Sequence, residues 1–153
     1  MASRLEQVLE QHPGKVRLVF KNYPLRSHSM AYKAAVAAMA ADLRGKFWDF
    51  HDRVFQNHNR LSDSVLAQIR KELGLVDPAF EGLLKNPEIA GLIQRDVQEG
   101  RLAGVRGTPT IFVNGKRHPG PYTPEGFREA IEAELKRSGH ASGPRQRLSA
   151  AGH

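Results

Sequence analysis

Hydrophobic positions along this chain recur with two periods, and each change of period marks an element. Leu5, Val8 and Leu9 share one helical face over residues 3–11, with Ser3 placed to cap and His12-Pro13-Gly14 to stop the helix. Val16 to Phe20 reads as a strand, and Val19 interrupts its alternation in the way a strand buried on both faces does. Pro24 bars helix between Lys21 and Arg26. A long helix, capped by Ser27 or Ser29, then runs to about Leu43, and its centre from Ala34 to Ala41 is small-sided and strongly helix-forming.

Phe47, Phe50, Val54 and Phe55 form the next apolar face, with Trp48 at its flank, and read as core. Ser62 caps a helix facing inward through Val65, Leu66, Ile69 and Leu73 and stopped at Gly74. Asp77-Pro78 and Asn86-Pro87 each place a capping residue before a proline at the first helical position. The first opens a short helix through Phe80, Leu83 and Leu84; the second opens a longer one through Ile89, Leu92, Ile93 and Val97, ending near Gly100. Thr110 to Val113 suits a strand. Asn114-Gly115 suits a type I′ turn, where both central residues need φ > 0, and Lys116 to His118 is the returning strand. Thr123-Pro124-Glu125 opens a last helix with Phe127, Ala130, Ile131 and Leu135 inward.

The order is helix, strand, about five helices, hairpin, helix, which is an α/β chain. Its 153 residues suffice for one domain with a sizeable core. No apolar run approaches the roughly 18 residues of a membrane span, and the N-terminus lacks the apolar segment of a signal peptide. The formal charge of +7 raises the question of nucleic acid. Basic residues are scattered among acids, however, and no aromatic residues interleave with them on a strand, so the charge reads as a generally basic surface. With zero cysteines the chain holds no disulfide, no thiolate metal site and no thiol catalyst.

Three blocks carry a family likeness. Gly104-Val105-Arg106-Gly107-Thr108-Pro109-Thr110-Ile111-Phe112-Val113-Asn114-Gly115 resembles the cis-proline strand of DsbA-type thioredoxin-fold oxidoreductases. Lys21-Asn22-Tyr23-Pro24-Leu25-Arg26-Ser27-His28 and Gly45-Lys46-Phe47-Trp48-Asp49-Phe50-His51-Asp52 resemble two further blocks of that family, in the same order. The resemblance covers roughly residues 4–135. It implies a thioredoxin-like α/β fold, incomplete at the N-terminus, with an inserted all-helical domain. Residues 1–25 and 104–137 match the thioredoxin-like part, 26–103 the helical insertion, and 138–153 read as a disordered basic tail.

By the same resemblance the Thr108–Pro109 bond is cis, and Gly107, Thr108, Pro109 and His28 would contact substrate. The family's Cys-x-x-Cys has no counterpart here. Thiol–disulfide exchange needs a thiolate attacking sulfur, and Ser3 cannot take that part. No catalytic residue, cofactor or metal is therefore assigned. His51 and His58 lie seven apart on one helix face without the further ligands a metal needs.

The resemblance implies protein or peptide thiol and disulfide substrates in a periplasmic or extracytoplasmic setting; a genuine start at Met1 would instead make the chain cytoplasmic. Three readings stay open. One is a DsbA-like protein with a lineage function of thiol–disulfide exchange. Another is a redox-dead module that holds an extended peptide at the cis-proline groove. The third is a basic accessory protein that binds nucleic acid. A glutathione-using isomerase is a relative of the first. Because the strand expected between Val16–Phe20 and Thr110–Val113 is not among these residues, the sequence reading expects an N-terminal truncation. It leaves the oligomeric state open.

Overall fold

In the computed structural model, the residues described are 2–139, 147 and 148. The helices are α1 (Ala2–Gln11), α2 (Ala31–Asp42), α3 (Phe47–Gln56), α4 (Asp63–Glu72), α5 (Pro78–Leu83), α6 (Pro87–Leu102) and α7 (Pro124–Ser138). A 3-10 turn, His58–Arg60, follows α3. The strands are β1 (Leu18–Val19), β2 (Phe112–Val113), β3 (Lys116–Arg117) and β4 (Arg147–Leu148). They form two separate ladders, β1 with β4 in parallel and β2 with β3 antiparallel. The described residues divide into two compact units, a discontinuous one of residues 2–19, 107–139 and 147–148 and a helical one spanning 20–106.

In the helical unit, α2 packs against α3 and α6, and α3 against α4. Ala37, Ala40 and Ala41 are buried on α2, where small side chains let neighbouring helices come close. Met39, Phe47, Phe50, Leu66, Ile69, Leu75, Phe80, Ile89 and Ile93 complete the core. Each large apolar side chain buried there contributes about 1.5–3 kcal/mol.

Local chemistry sets most helix starts. Ser62 Oγ accepts from the Val65 N–H, an Asp77 carboxylate oxygen from Phe80, Asn86 Oδ1 from Glu88 and Thr123 Oγ1 from Gly126. Each bond satisfies a donor that the first helical turn leaves open.

Two expected caps are absent. Neither Ser27 nor Ser29 caps α2, which begins after Met30 without a side-chain cap. A backbone turn does the work instead: His28 N–H donates to the Leu25 carbonyl and Ala31 N–H to that of His28. Ser3 lies inside α1, whose first residue is Ala2.

Helix α6 runs through Gly100 to Leu102 rather than ending near Gly100. The stop is Gly104, whose φ of +75° suits a residue without Cβ. Gly100 serves a different purpose, since a Cβ there would meet the Tyr23 ring at 2.9 Å. Phe55, expected in the core, is 53% exposed, with its ring centroid 4.5 Å from that of His51. It sits in the last turn of α3, one residue from the helix end, where the ring covers His51 rather than entering the core.

The discontinuous unit rests on α1 against α7, with α7 also touching β2. Val8 and Phe127 are buried within it. Among the described residues, the strand expected over 16–20 pairs at Leu18 and Val19, and of the one expected over 110–113 Phe112 and Val113 form the ladder while the Ile111 carbonyl accepts from the His118 N–H. Of the tail expected to be disordered, Ser138 closes α7 and Arg147–Leu148 form β4 beside Leu18 and Val19. The rest of that expectation, over 140–146 and 149–153, lies outside the described residues.

Candidate functional site

The loop Gly107–Thr110 leads directly into β2. Thr108 and Pro109 are exposed, and Gly107 and Thr110 half-buried. The Thr108–Pro109 peptide bond is cis, as is Gly120–Pro121. Thr110 Oγ1 donates to the Gly107 carbonyl at 2.7 Å, closing a short side-chain bridge across the bend. The Tyr122 hydroxyl lies 3.5 Å from the Pro109 carbonyl, at the long limit for donation.

Tyr122 belongs to an aromatic group behind the loop. Its ring stacks on His118 and Phe127, with centroids 5.8 and 5.9 Å away. His118 is buried, and its Nε2 lies 3.1 Å from the Pro121 carbonyl. A carbonyl oxygen only accepts, so Nε2 carries a proton and donates. His118 N–H also donates to the Ile111 carbonyl at 2.8 Å, extending the hairpin by one bonded pair. Gly126 closes the group from α7, because a Cβ there would lie 2.3 Å from the Pro121 carbonyl oxygen. The loop is thus backed by packed rings. In sequence His118 marks only the end of a strand; the run His118-Pro119-Gly120-Pro121-Tyr122 is the one local signal of a built loop there.

Of the other expected substrate contacts, His28 lies in the helical unit, exposed, within the turn that opens α2. Gly107, Thr108 and Pro109 lie together in the discontinuous unit. His51 is buried among Phe20, Phe47, Trp48 and Phe55, with Nδ1 2.9 Å from Asp52 Oδ1. Among the described residues, no three His, Asp or Glu side chains are grouped to hold a metal ion. Nor is any described helix long and apolar enough to cross a membrane.

The Lys21-Asn22-Tyr23 block has a structural task that its sequence does not announce. Asp96 on α6 is 4% exposed, and one of its oxygens accepts from the Asn22 backbone and side chain while the other faces Lys21 Nζ at 3.3 Å. Lys21 also reaches Glu99 at 3.1 Å. Burial works against the Lys21 charge, but the Glu99 and Asp96 carboxylates outweigh it and hold the ammonium pKa above its ordinary value. The Tyr23 hydroxyl donates to the Val105 carbonyl, fixing the chain just past α6.

The sequence pattern described as thioredoxin matches residues 1–133. The chain belongs to the thioredoxin family. Its fold class is thioredoxin-like α/β, mostly helical, with a small sheet content and a helical insertion. It is a member without a cysteine.

The chain is similar to part of a Na(+)/H(+) antiporter NhaA 3 from Salinispora tropica, 39% identical over 76% of this chain and 18% of that protein. A Na(+)/H(+) antiporter NhaA 1 from Salinispora arenicola is 37% identical over the same shares. A Na(+)/H(+) antiporter NhaA from Nitrosospira multiformis is 29% identical over 91% of this chain and 22% of its own length. The chain thus spans about a fifth of these curated relatives. No solved structure matches it.

Proposed function

We propose that this chain is a DsbA-type thioredoxin-like module that holds an extended segment of a protein partner at Gly107–Pro109, without itself exchanging disulfides. The observation that carries the reading is the exposed Thr108–Pro109 step, held on a loop braced by the Thr110 hydroxyl and backed by His118, Tyr122 and Phe127. A braced, exposed loop suits recognition of an extended partner. The thiol half of the lineage chemistry has no residue to perform it, because exchange requires sulfur nucleophiles and the chain has none.

Titrating the 15N-labelled chain with reduced, carboxymethylated α-lactalbumin, an unfolded polypeptide with blocked thiols, tests this. Amide shifts should concentrate at Gly107, Thr108 and Thr110, and Thr108→Arg should weaken binding by about tenfold, or 1.4 kcal/mol. Shifts elsewhere only, or undiminished binding by the variant, would remove the reading.

The relatives favour one class of partner. Segments similar to this chain occur within proteins named Na(+)/H(+) antiporters, and we infer that the module works beside a transporter of that kind. Co-purification of the tagged chain with a co-expressed antiporter, compared with an unrelated membrane protein, checks that association. Equal recovery of both would discount it.

A further inference from the structure

Helix α6 buries one face and carries an ordered ridge on the other. Ile89, Ile93 and Asp96 are its buried residues. Gly91, Arg95, Gln98 and Leu102 are exposed and recur at spacings of four, three and four, which sets them along one line of the helix. Leu102 is 82% exposed, the most open of the large apolar side chains described. Among the described residues Gln94, Arg95, Gln98 and Arg101 make no side-chain hydrogen bond or ion pair.

Gly91 lies inside the helix, where glycine is a poor helix former. A Cβ there would meet nothing within 4 Å, so no close contact within the chain calls for glycine. Gly100 shows the contrast, since its missing Cβ makes room for the Tyr23 ring. A gap at Gly91 and a knob at Leu102 are the two parts of a helix–helix contact.

The spacing of the ridge reads the same in both directions. A second α6 laid antiparallel across it therefore sets Leu102 over the second copy's Gly91, and Arg95 beside its Gln98. Each contact then occurs twice, as a two-fold axis requires. On one flank Arg95 comes level with the second copy's Glu99, whose Oε2 meets Lys21 and whose Oε1 has no partner among the described residues. On the other flank Arg101 comes level with Gln94. Parallel packing would instead set Leu102 on Leu102 and Arg95 on Arg95. The charge of +7 on each chain opposes association, and the antiparallel pairings offset it where the surfaces meet.

We propose that the outer face of α6 is a self-association surface, on which a second copy of this chain docks antiparallel. Leu102 of each copy enters the gap at Gly91 of the other. A single helix pair buries little area, so the dimer is weak and depends on concentration. The surface belongs to the helical unit and does not rest on the peptide-holding reading.

The test uses the full chain, whose lack of cysteine makes introduced thiols unambiguous reporters. In sedimentation equilibrium the average mass should climb from monomer toward dimer between about 10 µM and 1 mM. Gly91→Cys and Leu102→Cys chains, mixed and oxidised with copper–phenanthroline, should form the mixed disulfide about tenfold faster than either forms its own, because only the mixture brings two thiols within reach. Two Leu102 positions in the antiparallel pair lie about 16 Å apart along the helices, beyond the roughly 7 Å between Cα atoms that a disulfide spans.

Arg95→Glu sets like charges together and should raise the dimer dissociation constant by about tenfold. Gly91→Leu fills the gap and should raise it at least as much. Should either variant not fold, the disulfide pattern decides. A chain still monomeric at about 1 mM overturns the proposal. So does Leu102→Cys joining itself as fast as it joins Gly91→Cys, which marks a parallel or unspecific contact. Undiminished association of both variants would place the dimer on another face and overturn it too. A chain that stays monomeric while polyglutamate shifts its α6 amide signals would give the ridge to an acidic partner, and overturns it equally. Thr108→Arg should leave the dimer unchanged, so the loop and helix readings fail separately.

Discussion

Asp96 and Asn22 are joined twice through one oxygen: Asp96 Oδ2 accepts from the Asn22 backbone N–H at 2.8 Å and from its side-chain amide at 3.0 Å. Both residues are buried, at 4% and 2% exposure, so water does not offer either donor an alternative. Asp96→Leu should cost about 1–3 kcal/mol for each donor left unpaired. Urea unfolding of the pair of proteins measures it. A change below about 0.5 kcal/mol, the ordinary scatter of surface substitutions, would show that the junction is replaceable.

Two helical glycines should respond oppositely to the same added methyl group. At Gly126 a Cβ would lie 2.3 Å from the Pro121 carbonyl oxygen, a backbone atom that cannot swing aside. Gly126→Ala should destabilise the chain by about 1–3 kcal/mol, overpacking outweighing the gain in helix propensity. At Gly82, within α5, a Cβ meets nothing within 4 Å. Gly82→Ala should therefore stabilise by up to about 1 kcal/mol. Thermal unfolding of both variants gives the two signs.

Stability should fall at both extremes of pH through different residues. The Lys21 pKa is raised from 10.5 in the folded chain, so its contribution is complete below that value and disappears as pH climbs through the raised one. Lys21→Met should flatten the alkaline limb.

The Asp77 pKa is lowered from 3.8, chiefly by the hydrogen bond from the Phe80 N–H; desolvation opposes this, and Arg44 adds to the lowering. Its contribution is present above 3.8 and goes as pH falls through the depressed value. Asp77→Asn keeps a good cap without the titration and should flatten the acid limb. Urea midpoints across the pH range would show either limb unmoved if these assignments are wrong.

The purified chain should show no insulin reduction and no dithiol oxidation above buffer, since it has no cysteine to form a mixed disulfide. Turnover in a thiol-free preparation would contradict this directly.

The parts of this fold that depend on neighbours in sequence were legible in advance. Ser62, Asp77, Asn86 and Thr123 cap helices because a short polar side chain next to an open turn needs nothing distant. Asn114-Gly115 likewise carries its own turn geometry. What depends on remote residues was not. The Asn22–Asp96 contact joins positions 74 apart, and no local pattern marks Asp96 as buried rather than as one more acid on an exposed helix face. Ser27 and Ser29 had the chemistry of caps, but the Leu25–Ala31 backbone turn takes their place. At the candidate site the Gly107–Pro109 block stood out in the sequence. The rings behind it did not, because His118, Tyr122 and Phe127 converge only once α7 folds back.

Three methionines carry all the sulfur in this chain, and one of them sits at the junction of Asn22 with α2. The Met39 thioether is 1% exposed and accepts from the Asn22 amide at 3.2 Å. A peroxide cannot transfer oxygen to a sulfur it cannot reach, whereas the half-buried Met30 is within reach of solvent. The ratio of sulfoxide formed at Met39 to that formed at Met30 is thus a clock for the opening of the helical unit. In a thioredoxin-family chain without thiols, oxidation reports on motion rather than on chemistry.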